Sequence, residues 1–344
     1  MEANVHSYDV AHLPGDGIGP EVTAVARDLI DQAGKHHGFI VDWGHCPLGS
    51  AHYLRTGEVL PDEILNDLRK TDAVFLGAVG SPSVPPGVLE RGLLLRLRFD
   101  LDLYVNLRPA KQRPGVDAAG ADSLDFVVVR ENTEGLYAGA GGIAHQGSSF
   151  EVATEESLNT RAGVERCVRY AAQLANKRTG KLTLVHKTNV LVNAGSLWKR
   201  VADEVAADQG LQLDYCHVDA ACLYMVSDPG RFDVIVTDNL FGDILTDLAA
   251  ALTGGLGLSA SGNLNPVRTG PSMFEPVHGS APDIAGTGKA NPAGAVLSAA
   301  LMLDHLGEPT AAAELEAAVD AVLARGGAPS TDAWAEALTA EVSQ

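Results

Sequence analysis

The chain has 344 residues, more than one hydrophobic core usually organises, so two domains are expected. Apolar residues make up 46% and charged residues 20%, as in a globular rather than a disordered protein. With 25 Lys and Arg against 44 Asp and Glu, the net charge of −19 argues against nucleic acid or a membrane as partner. The stretch MEANVHSYDV has no signal-peptide pattern and the four cysteines form no CxxC pair, so we expect a cytoplasmic protein.

Short apolar runs along the chain predict buried strands. These runs are DVAHLP (9–14), DAVFLGAVG (72–80), LDFVVVREN (124–132), KLTLVHKTN (181–189) and FDVIVTDNL (232–240). Amphipathic stretches such as EVTAVARDLIDQAGKHH and TRAGVERCVRYAAQLANKR lie between several of them and predict helices. This alternation is typical of α/β layers with a largely parallel sheet. The glycine-rich residues 139–157 lack helical periodicity, and we expect an extended arm or hairpin there.

The first glycine-rich motif is LPGDGIGPEV (13–22), which follows a predicted strand and opens a predicted helix. Its glycines at 15, 17 and 19 are followed by Pro20, so the spacing of a dinucleotide fingerprint fails. The motif also lacks the lysine of a Walker A loop, which argues against a phosphate-loop nucleotidase. A phosphate-binding loop and a plain strand-to-helix turn both remain possible interpretations.

Several arginines fall near the ends of apolar runs. Arg96, Arg98 and Arg108 lie within LLLRLRFDLDLYVNLRPAKQRP (93–114), and Arg130 ends the run FVVV. Exposure on the surface is the usual interpretation of any single arginine. Two or three guanidinium groups facing one cleft would instead suit a substrate with two carboxylates.

Two aspartates follow the last predicted strand. Asp243 and Asp247 are four residues apart, so their carboxylates lie on one face of a helix that is predicted to start with them. The helix dipole favours acidic groups at a helix N-terminus, which gives a purely structural interpretation. With Asp219 they would instead supply three of the hard oxygen donors that Mg²⁺ or Mn²⁺ prefers. Lys187 beside such a cation could act as a base.

Nearly the whole chain resembles the metal-dependent β-decarboxylating dehydrogenases. The resemblance rests on LPGDGIGPEV, NLRP, VVVRENTEGLYAG, VHKTNVL, HVDA, TDNLFGDILTDLAA and FEPVHGSAPDIAGTGKANP. It implies an α/β isopropylmalate-dehydrogenase-like fold of two domains, with a large mixed sheet flanked by helices, which is not a Rossmann fold. Residues 1–103 and 254–344 would form the cofactor-facing domain. Residues 104–253 would form the dimerisation and metal/substrate domain, with 139–157 as its arm.

The same resemblance implies a metal site shared between two subunits. Asp243 and Asp247 would hold Mg²⁺ or Mn²⁺ together with Asp219. Lys187 and Asp219 would reach the site from the second subunit of a homodimer, which then has two shared active sites.

Roles in substrate binding and catalysis also follow from the resemblance. Arg98, Arg108 and Arg130 would bind the two carboxylates of a malate core. Lys187 would accept the proton of the substrate's 2-hydroxyl as hydride leaves for nicotinamide. After loss of CO₂, Tyr137 would donate a proton to the enolate carbon as the general acid.

The segment HGSAPDIAG is similar to the cofactor loop of this family. The cofactor-binding residues implied are His278, Gly279, Ser280, Ala281, Asp283, Ile284 and Asn291. Asp283 would accept from the 2′-hydroxyl of the adenosine ribose and repel a 2′-phosphate, so NAD is the expected cofactor. Relatives that use NADP have Lys and Tyr where this chain has Asp283 and Ile284, whereas the cation of Lys289 nearby could soften the preference.

Substrate choice is predicted from the leucine-rich stretch VLERGLLLRLR. Leu94 and Leu95 could form an apolar wall for an isopropyl group, although a place in a helix core is the alternative interpretation. The leading hypothesis is NAD-dependent oxidative decarboxylation of 3-isopropylmalate to 2-oxo-4-methylpentanoate and CO₂, in leucine biosynthesis. RENTEGLYAG and LDLYVNLRP are as similar to the isocitrate, homoisocitrate and tartrate branches of the family as to its leucine-pathway branch. D-malate, tartrate, homoisocitrate or another alkylmalate is therefore the alternative substrate, and a non-catalytic homologue is a third hypothesis.

Overall fold

The computed structural model describes residues 5–116 and 124–343, in which strands and helices alternate. In chain order the elements are β1 (His6–Gly15), α1 (Gly19–His37), β2 (Phe39–His45), α2 (Ser50–Thr56), α3 (Asp62–Leu68), β3 (Ala73–Ala78), α4 (Arg96–Asp100), β4 (Val105–Lys111), β5 (Asp125–Glu131), β6 (Gly135–Ala144), β7 (Val152–Leu158), α5 (Arg161–Lys177), β8 (Lys181–His186), α6 (Val192–Gln209), β9 (Gln212–His217), α7 (Val218–Ser227), β10 (Val234–Thr237), α8 (Asn239–Leu252), β11 (Ala260–Leu264), β12 (Ser272–Pro276), α9 (Ala293–Leu306), α10 (Pro309–Ala324) and α11 (Thr331–Val342). A π-helical turn, Glu90–Leu95, leads directly into α4. All five predicted strands are present, as β1, β3, β5, β8 and β10.

The described residues form two compact units. The first unit consists of residues 5–103, 111–116 and 250–343, and the second of residues 104–110 and 124–249. Two domains are what the length of the chain predicts. The cofactor-facing and dimerisation roles assigned to the two domains stay a prediction.

The first unit contains a mixed sheet. Its strands lie in the order β2–β1–β3–β12–β11. β1 is parallel to both neighbours and β12 is parallel to β3, whereas β11 is antiparallel to β12. Every residue of β3 is buried, as expected for a strand covered by helices on both faces. The helix α9 packs against α1, α10 and three of the strands, and for that reason it is apolar around most of its circumference.

The second unit contains strands in the order β4–β5–β10–β8–β9. The last four are parallel, since β10 is parallel to β5 and to β8, and β8 is parallel to β9. The helices α5 and α6 pack on each other and on these strands, burying Trp198 and Phe126. The carboxyl ends of parallel strands meet at one edge, where ligands of open α/β sheets bind. β5, β8, β9 and β10 therefore deliver their following residues to a single edge.

A separate hairpin, β6–β7, falls where the extended arm is expected. Every residue of β7 is exposed, and the hairpin and its turn expose the apolar side chains Ile143, Phe150 and Val152. Among the described residues no helix is both long and apolar enough to cross a membrane.

Candidate active site

The helix α8 carries the two aspartates of the predicted metal site. Its start is capped by Asp238, whose carboxylate accepts from the Phe241 N–H at 2.8 Å. The helix begins at Asn239, which puts Asp243 and Asp247 in its second and third turns and leaves no acidic residue in its first turn. The prediction that the helix starts with this pair is therefore wrong. The helix dipole acts within the first turn and does not account for two acids placed farther along.

Asp243 is the centre of a charged network on this helix. Its Oδ1 forms an ion pair with Nη1 of Arg130, and its Oδ2 accepts from the Tyr137 hydroxyl at 2.9 Å. Burial would raise the pKa of the Asp243 carboxyl, but Arg130, the Tyr137 hydroxyl and Arg108 outweigh burial and lower the pKa. Asp243 is consequently an anion under ordinary conditions.

Arg130 is held along α8 by more than its ion pair. Its side chain is 1% exposed, and Nε and Nη2 donate to Asn239 Oδ1 at 3.0 and 2.8 Å. Gly242 makes room for it, because a Cβ on Gly242 would lie 2.5 Å from Arg130 Cγ. The predicted substrate-binding Arg130 thus orients Asp243 as well.

Tyr137 combines a proton-donating group with a shielded position. Burial is the main cause that raises the pKa of the Tyr137 phenol, and Asp243 adds to the rise while Arg130 opposes it. The Arg130 guanidinium lies 5.1 Å from the centre of the Tyr137 ring. The phenol therefore stays protonated near neutral pH, as a general acid requires.

Asp247 lies one turn beyond Asp243 on the same helix face. Burial, and then repulsion by Asp243, raise the pKa of the Asp247 carboxyl, while Arg108 and Arg130 oppose the rise. Arg108 is positioned by Asn106 Oδ1 at 2.8 Å and by Thr246 Oγ1 at 3.4 Å. Arg108, Arg130 and the two aspartates therefore lie within electrostatic range of one another.

The donor set of α8 fits a divalent cation. Two carboxylates on one helix face are hard oxygen donors, and a carboxylate can accept more bonds than Asp243 receives from Arg130 and Tyr137. A cation would also offset the repulsion that raises the pKa of Asp247. In residues 5–116 and 124–343, no three His, Cys, Asp or Glu side chains are close enough to hold a metal. The predicted third ligand, Asp219, is therefore not beside the α8 pair in this chain.

Lys187 and Asp219 form a pair of their own. Lys187 follows β8, Asp219 lies in the first turn of α7, and the Lys187 Nζ is 2.7 Å from Asp219 Oδ1. The hydrogen bond from Lys187 is the main cause that lowers the pKa of the Asp219 carboxyl. The predicted base and the predicted third metal ligand are thus neighbours.

In the first unit, the predicted substrate-binding residues lie on the π-helical turn and on α4. Arg98 is buried, and its Nη2 is 3.4 Å from Glu275 Oε1. Leu93 and Leu97 fill the hydrophobic core, whereas Leu94 is half-buried against that core and Leu95 is also half-buried. Leu94 and Leu95 therefore keep accessible apolar surface that Leu93 and Leu97 lack. The core interpretation made for Leu94 and Leu95 is met in part by Leu94, which packs against the core from a half-buried position.

The predicted cofactor residues lie in residues 277–292, which join β12 to α9 without a regular helix or strand. Gly279 and Asp283 are exposed, Ser280 is buried, and the remaining predicted contacts are half-buried: His278, Ala281, Ile284 and Asn291. The Nε2 atom of His278 is buried and has no hydrogen-bond partner among the described residues. An unsatisfied buried ring nitrogen costs free energy unless a ligand or water completes it, which fits an adenine neighbour.

Sequence reasoning missed the two residues that fix Arg130. Asn239 and Gly242 stand within DNLFGD, where Asn at a helix start and Gly inside a helix are visible signals. Their function depends on Arg130, which is 109 residues from Asn239 in the chain, so spacing could not reveal it.

Over most of its length, the chain is similar to known proteins of one family. The model of the family described as isocitrate/isopropylmalate dehydrogenase matches residues 9–344. A 3-isopropylmalate dehydrogenase of Nocardia farcinica is 57% identical, covering 97% of this chain and 99% of its own. One of Thermobifida fusca is 56% identical, covering 92% and 91%. The solved isocitrate dehydrogenase of Methylococcus capsulatus has a TM-score of 0.89 at 39% identity, covering 98% of this chain and 100% of its own. These comparisons confirm the predicted fold class.

Asp247→Asn is expected to weaken binding of Mn²⁺ to the protein by about ten-fold or more. Even the loss of a residue that only hydrogen-bonds to a metal ligand typically lowers metal affinity by about that factor, and Asp247 is a predicted ligand itself. Titration calorimetry with Mn²⁺ alone measures the affinity without turnover. Asp203→Asn, a neutralised acid on α6 of the same unit, is the control for the loss of one charge. An unchanged Mn²⁺ affinity in Asp247→Asn would remove this residue from the metal site.

Proposed function

We propose that the chain, which belongs to the isocitrate/isopropylmalate dehydrogenase family, catalyses the NAD-dependent oxidative decarboxylation of 3-isopropylmalate to 2-oxo-4-methylpentanoate and CO₂. This reaction is a step of leucine biosynthesis, and the activity is of the class EC 1.1.1.85. The observation that carries the proposal is the network of Arg130, Tyr137 and Asp243 beside Asp247 on α8. It combines a protonated phenol, a carboxylate pair and guanidinium groups, which are the groups that this chemistry needs.

The metal would be held by Asp243 and Asp247, with Asp219 of the partner subunit as the third ligand. Mg²⁺ or Mn²⁺ suits three carboxylates. When bound, the cation supplies Lewis-acid polarisation of the substrate's 2-hydroxyl and 2-oxo oxygens. Arg130 keeps the Asp243 carboxylate ionised and oriented for this function.

The substrate's two carboxylates would be bound by Arg98, Arg108 and Arg130. A guanidinium carries five N–H donors, so Arg108 and Arg130 can keep their contacts to Asn106 and Asn239 while donating to a carboxylate. Their fixed side chains reduce the entropy lost on binding. Leu94 and Leu95 would contact the isopropyl group.

Two protein groups would transfer protons. Lys187 accepts the proton of the 2-hydroxyl while hydride leaves the substrate's C2 for the nicotinamide of NAD. The resulting β-keto acid loses CO₂, and the phenol of Tyr137 protonates the enolate carbon. The raised pKa of Tyr137 supports this order, because the phenol must still carry its proton when the enolate forms.

NAD rather than NADP is supported by the exposed carboxylate of Asp283 in the 277–292 segment. A carboxylate accepts from a ribose 2′-hydroxyl and repels a 2′-phosphate. The unpartnered Nε2 of His278 gives the adenine a polar neighbour.

A homodimer with shared active sites would bring the Lys187–Asp219 pair to the α8 carboxylates of the other subunit. Apolar side chains exposed near these groups support this assembly, namely Leu223 on α7 and Ile244 on α8, which are 62% and 51% exposed. The exposed hairpin β6–β7 would complete the interface as the predicted arm. A cytoplasmic location, supported by the unpaired cysteines, belongs to the same proposal.

The alternative substrates have weaker support than 3-isopropylmalate. The curated relatives named 3-isopropylmalate dehydrogenase are 55–59% identical, whereas the solved isocitrate dehydrogenase is 39% identical. A non-catalytic function is opposed by the presence of Lys187, Tyr137 and all three aspartates. The hydrogen bond from the Tyr137 hydroxyl to Asp243, which joins the predicted acid to a predicted metal ligand, also argues against a non-catalytic function.

The substrate is tested by NADH formation at 340 nm with Mg²⁺ and a panel of 3-isopropylmalate, D-malate, tartrate, isocitrate and homoisocitrate. We expect the highest kcat/KM with 3-isopropylmalate. In Leu95→Ala, the ratio of kcat/KM for 3-isopropylmalate over D-malate is expected to fall about ten-fold or more. The ratio cancels differences in the folded fraction. Leu54→Ala, an exposed leucine of α2, is the control, and a wild-type preference for another acid would overturn the substrate assignment.

Shared active sites are tested by mixing two variants that are each inactive, Lys187→Ala and Asp243→Asn. In a heterodimer, one site would combine an intact Lys187 with an intact Asp243, so random mixing restores about a quarter of the wild-type activity. The two variants are co-expressed with different tags, and turnover is compared with that of each variant alone. Circular dichroism confirms that both variants are folded, and a mixture of folded variants as inactive as its components would show that the sites are not shared.

Cofactor preference is tested with Asp283→Lys combined with Ile284→Tyr. We expect the ratio of kcat/KM for NAD over NADP to fall about 100-fold, because repulsion of the 2′-phosphate is replaced by attraction. Initial rates are measured with both cofactors at saturating substrate, and Lys289→Ala serves as the control for the cation nearby. A ratio that does not change would place the ribose contact elsewhere.

A further inference from the structure

The residues that would bind the cofactor stand on a segment without regular secondary structure, which is held in part by contacts from outside it. Residues 277–292 contain no regular helix or strand and follow β12 directly. Ala281 in this segment has φ of +39°, in the left-handed region that non-glycine residues seldom adopt. Such a conformation persists only when surrounding contacts determine it. The contacts that do so identify what positions the loop.

Two of these contacts come from the start of α1, one from the residue before the helix and one from its first turn. The residue before this helix, Ile18, donates its N–H to Ser280 O at 2.9 Å. Glu21 in the first turn accepts from the Gly286 N–H with its Oε1 at 2.5 Å. In an ordinary capping box a glutamate at this position accepts from the N–H of the capping residue. Here the Ile18 N–H and the Glu21 carboxylate each bond to the 277–292 segment instead of to each other.

The turn before α1 is itself fixed, so it can serve as an anchor. The Asp16 N–H donates to Ala78 O at 2.7 Å, and the Asp16 carboxylate accepts from the N–H groups of Ser50 and Gly80 at 2.8 and 3.0 Å. Gly17 has φ of +58°, and any side chain on it would collide with Ser280 O. The glycine-rich motif LPGDGIGPEV therefore braces the segment through its backbone.

We propose that the motif at residues 16–21 positions the cofactor loop, with Glu21 as the positioning residue. The inference rests on the proposed function, in which residues 278–291 bind NAD. A loop that is already held in its binding conformation binds a ligand more tightly than one that must be ordered first. The apparent affinity scales with the fraction of protein molecules whose loop is in the binding conformation. Glu21 touches neither substrate nor cofactor in this scheme and acts only through the loop.

The test compares Glu21→Ala with Glu21→Gln, which keeps a neutral acceptor for the Gly286 N–H. A matched control is Glu63→Ala, because Glu63 is an exposed acid in the first turn of α3, where the same dipole effect applies. Hydrogen exchange of the cofactor-free protein is followed in peptides that cover residues 282–290. Affinity for NADH is measured by fluorescence titration, and steady-state rates by varying NAD and 3-isopropylmalate separately.

We expect Glu21→Ala to lose exchange protection in residues 282–290 and to bind NADH about ten-fold more weakly, the effect of one charge-assisted hydrogen bond. The KM for NAD rises in parallel, while kcat and the KM for 3-isopropylmalate at saturating NAD change less than two-fold. Glu21→Gln is expected to show a smaller loss, about three-fold, and Glu63→Ala none.

Unchanged protection in Glu21→Ala, or equal losses in Glu21→Ala and Glu63→Ala, would overturn the inference. If Glu21→Ala does not fold, Glu21→Gln decides the question. A Glu21→Gln protein that loses exchange protection in residues 282–290 but binds NADH as tightly as the wild type would overturn the inference. Failure of the proposed function is distinct. The wild-type protein would then bind no NADH, while the exchange measurement still tests whether Glu21 holds the 277–292 segment in place.

Discussion

The ion pair between Arg130 and Asp243 is the interaction on which the second unit's site depends. A guanidinium that is 1% exposed is tolerated only when its charge is paired and its N–H groups are satisfied. Neutralising Asp243 would leave the buried Arg130 charge without its ionic partner, which is destabilising, although the 39% exposure of the Asp243 side chain moderates the cost. Asn239, which takes two of the Arg130 donors, and Gly242, which leaves space for the side chain, are therefore part of the same arrangement.

The acid chemistry of Tyr137 follows from this arrangement. Its hydroxyl donates to Asp243, so the carboxylate that Arg130 fixes also fixes the phenol. Because burial and Asp243 outweigh Arg130, the pKa of Tyr137 is raised and the phenol retains its proton. The Arg130 guanidinium is thus delivered by β5, the Tyr137 phenol by the first strand of the hairpin, and the two carboxylates by α8. All three follow from the parallel strands ending at one edge.

The sequence predicted the strands and the charged residues better than it predicted their contacts. Apolar runs identified five strands because buried parallel strands are continuously apolar. The start of α8 was placed four residues late, since the capping function of Asp238 is visible only when its carboxylate meets the Phe241 N–H. Periodicity also did not separate Leu93, which fills the core, from Leu94, which packs only partly against it. The π-helical turn changes which side chains face inward, and propensity does not predict it.

The two halves of the proposed chemistry are held by different physical means. The proton and metal groups stand on α8 and beside strands, where regular hydrogen bonds fix the backbone and only side chains need partners. The cofactor residues stand on an irregular segment, and its backbone is fixed by groups outside it, including Ile18 and Glu21. A motif that resembles a phosphate loop in sequence is thereby used as a brace, because its glycines permit close approach to Ser280. The Ile18 N–H of this motif donates to Ser280 O and is therefore not available to a phosphate group.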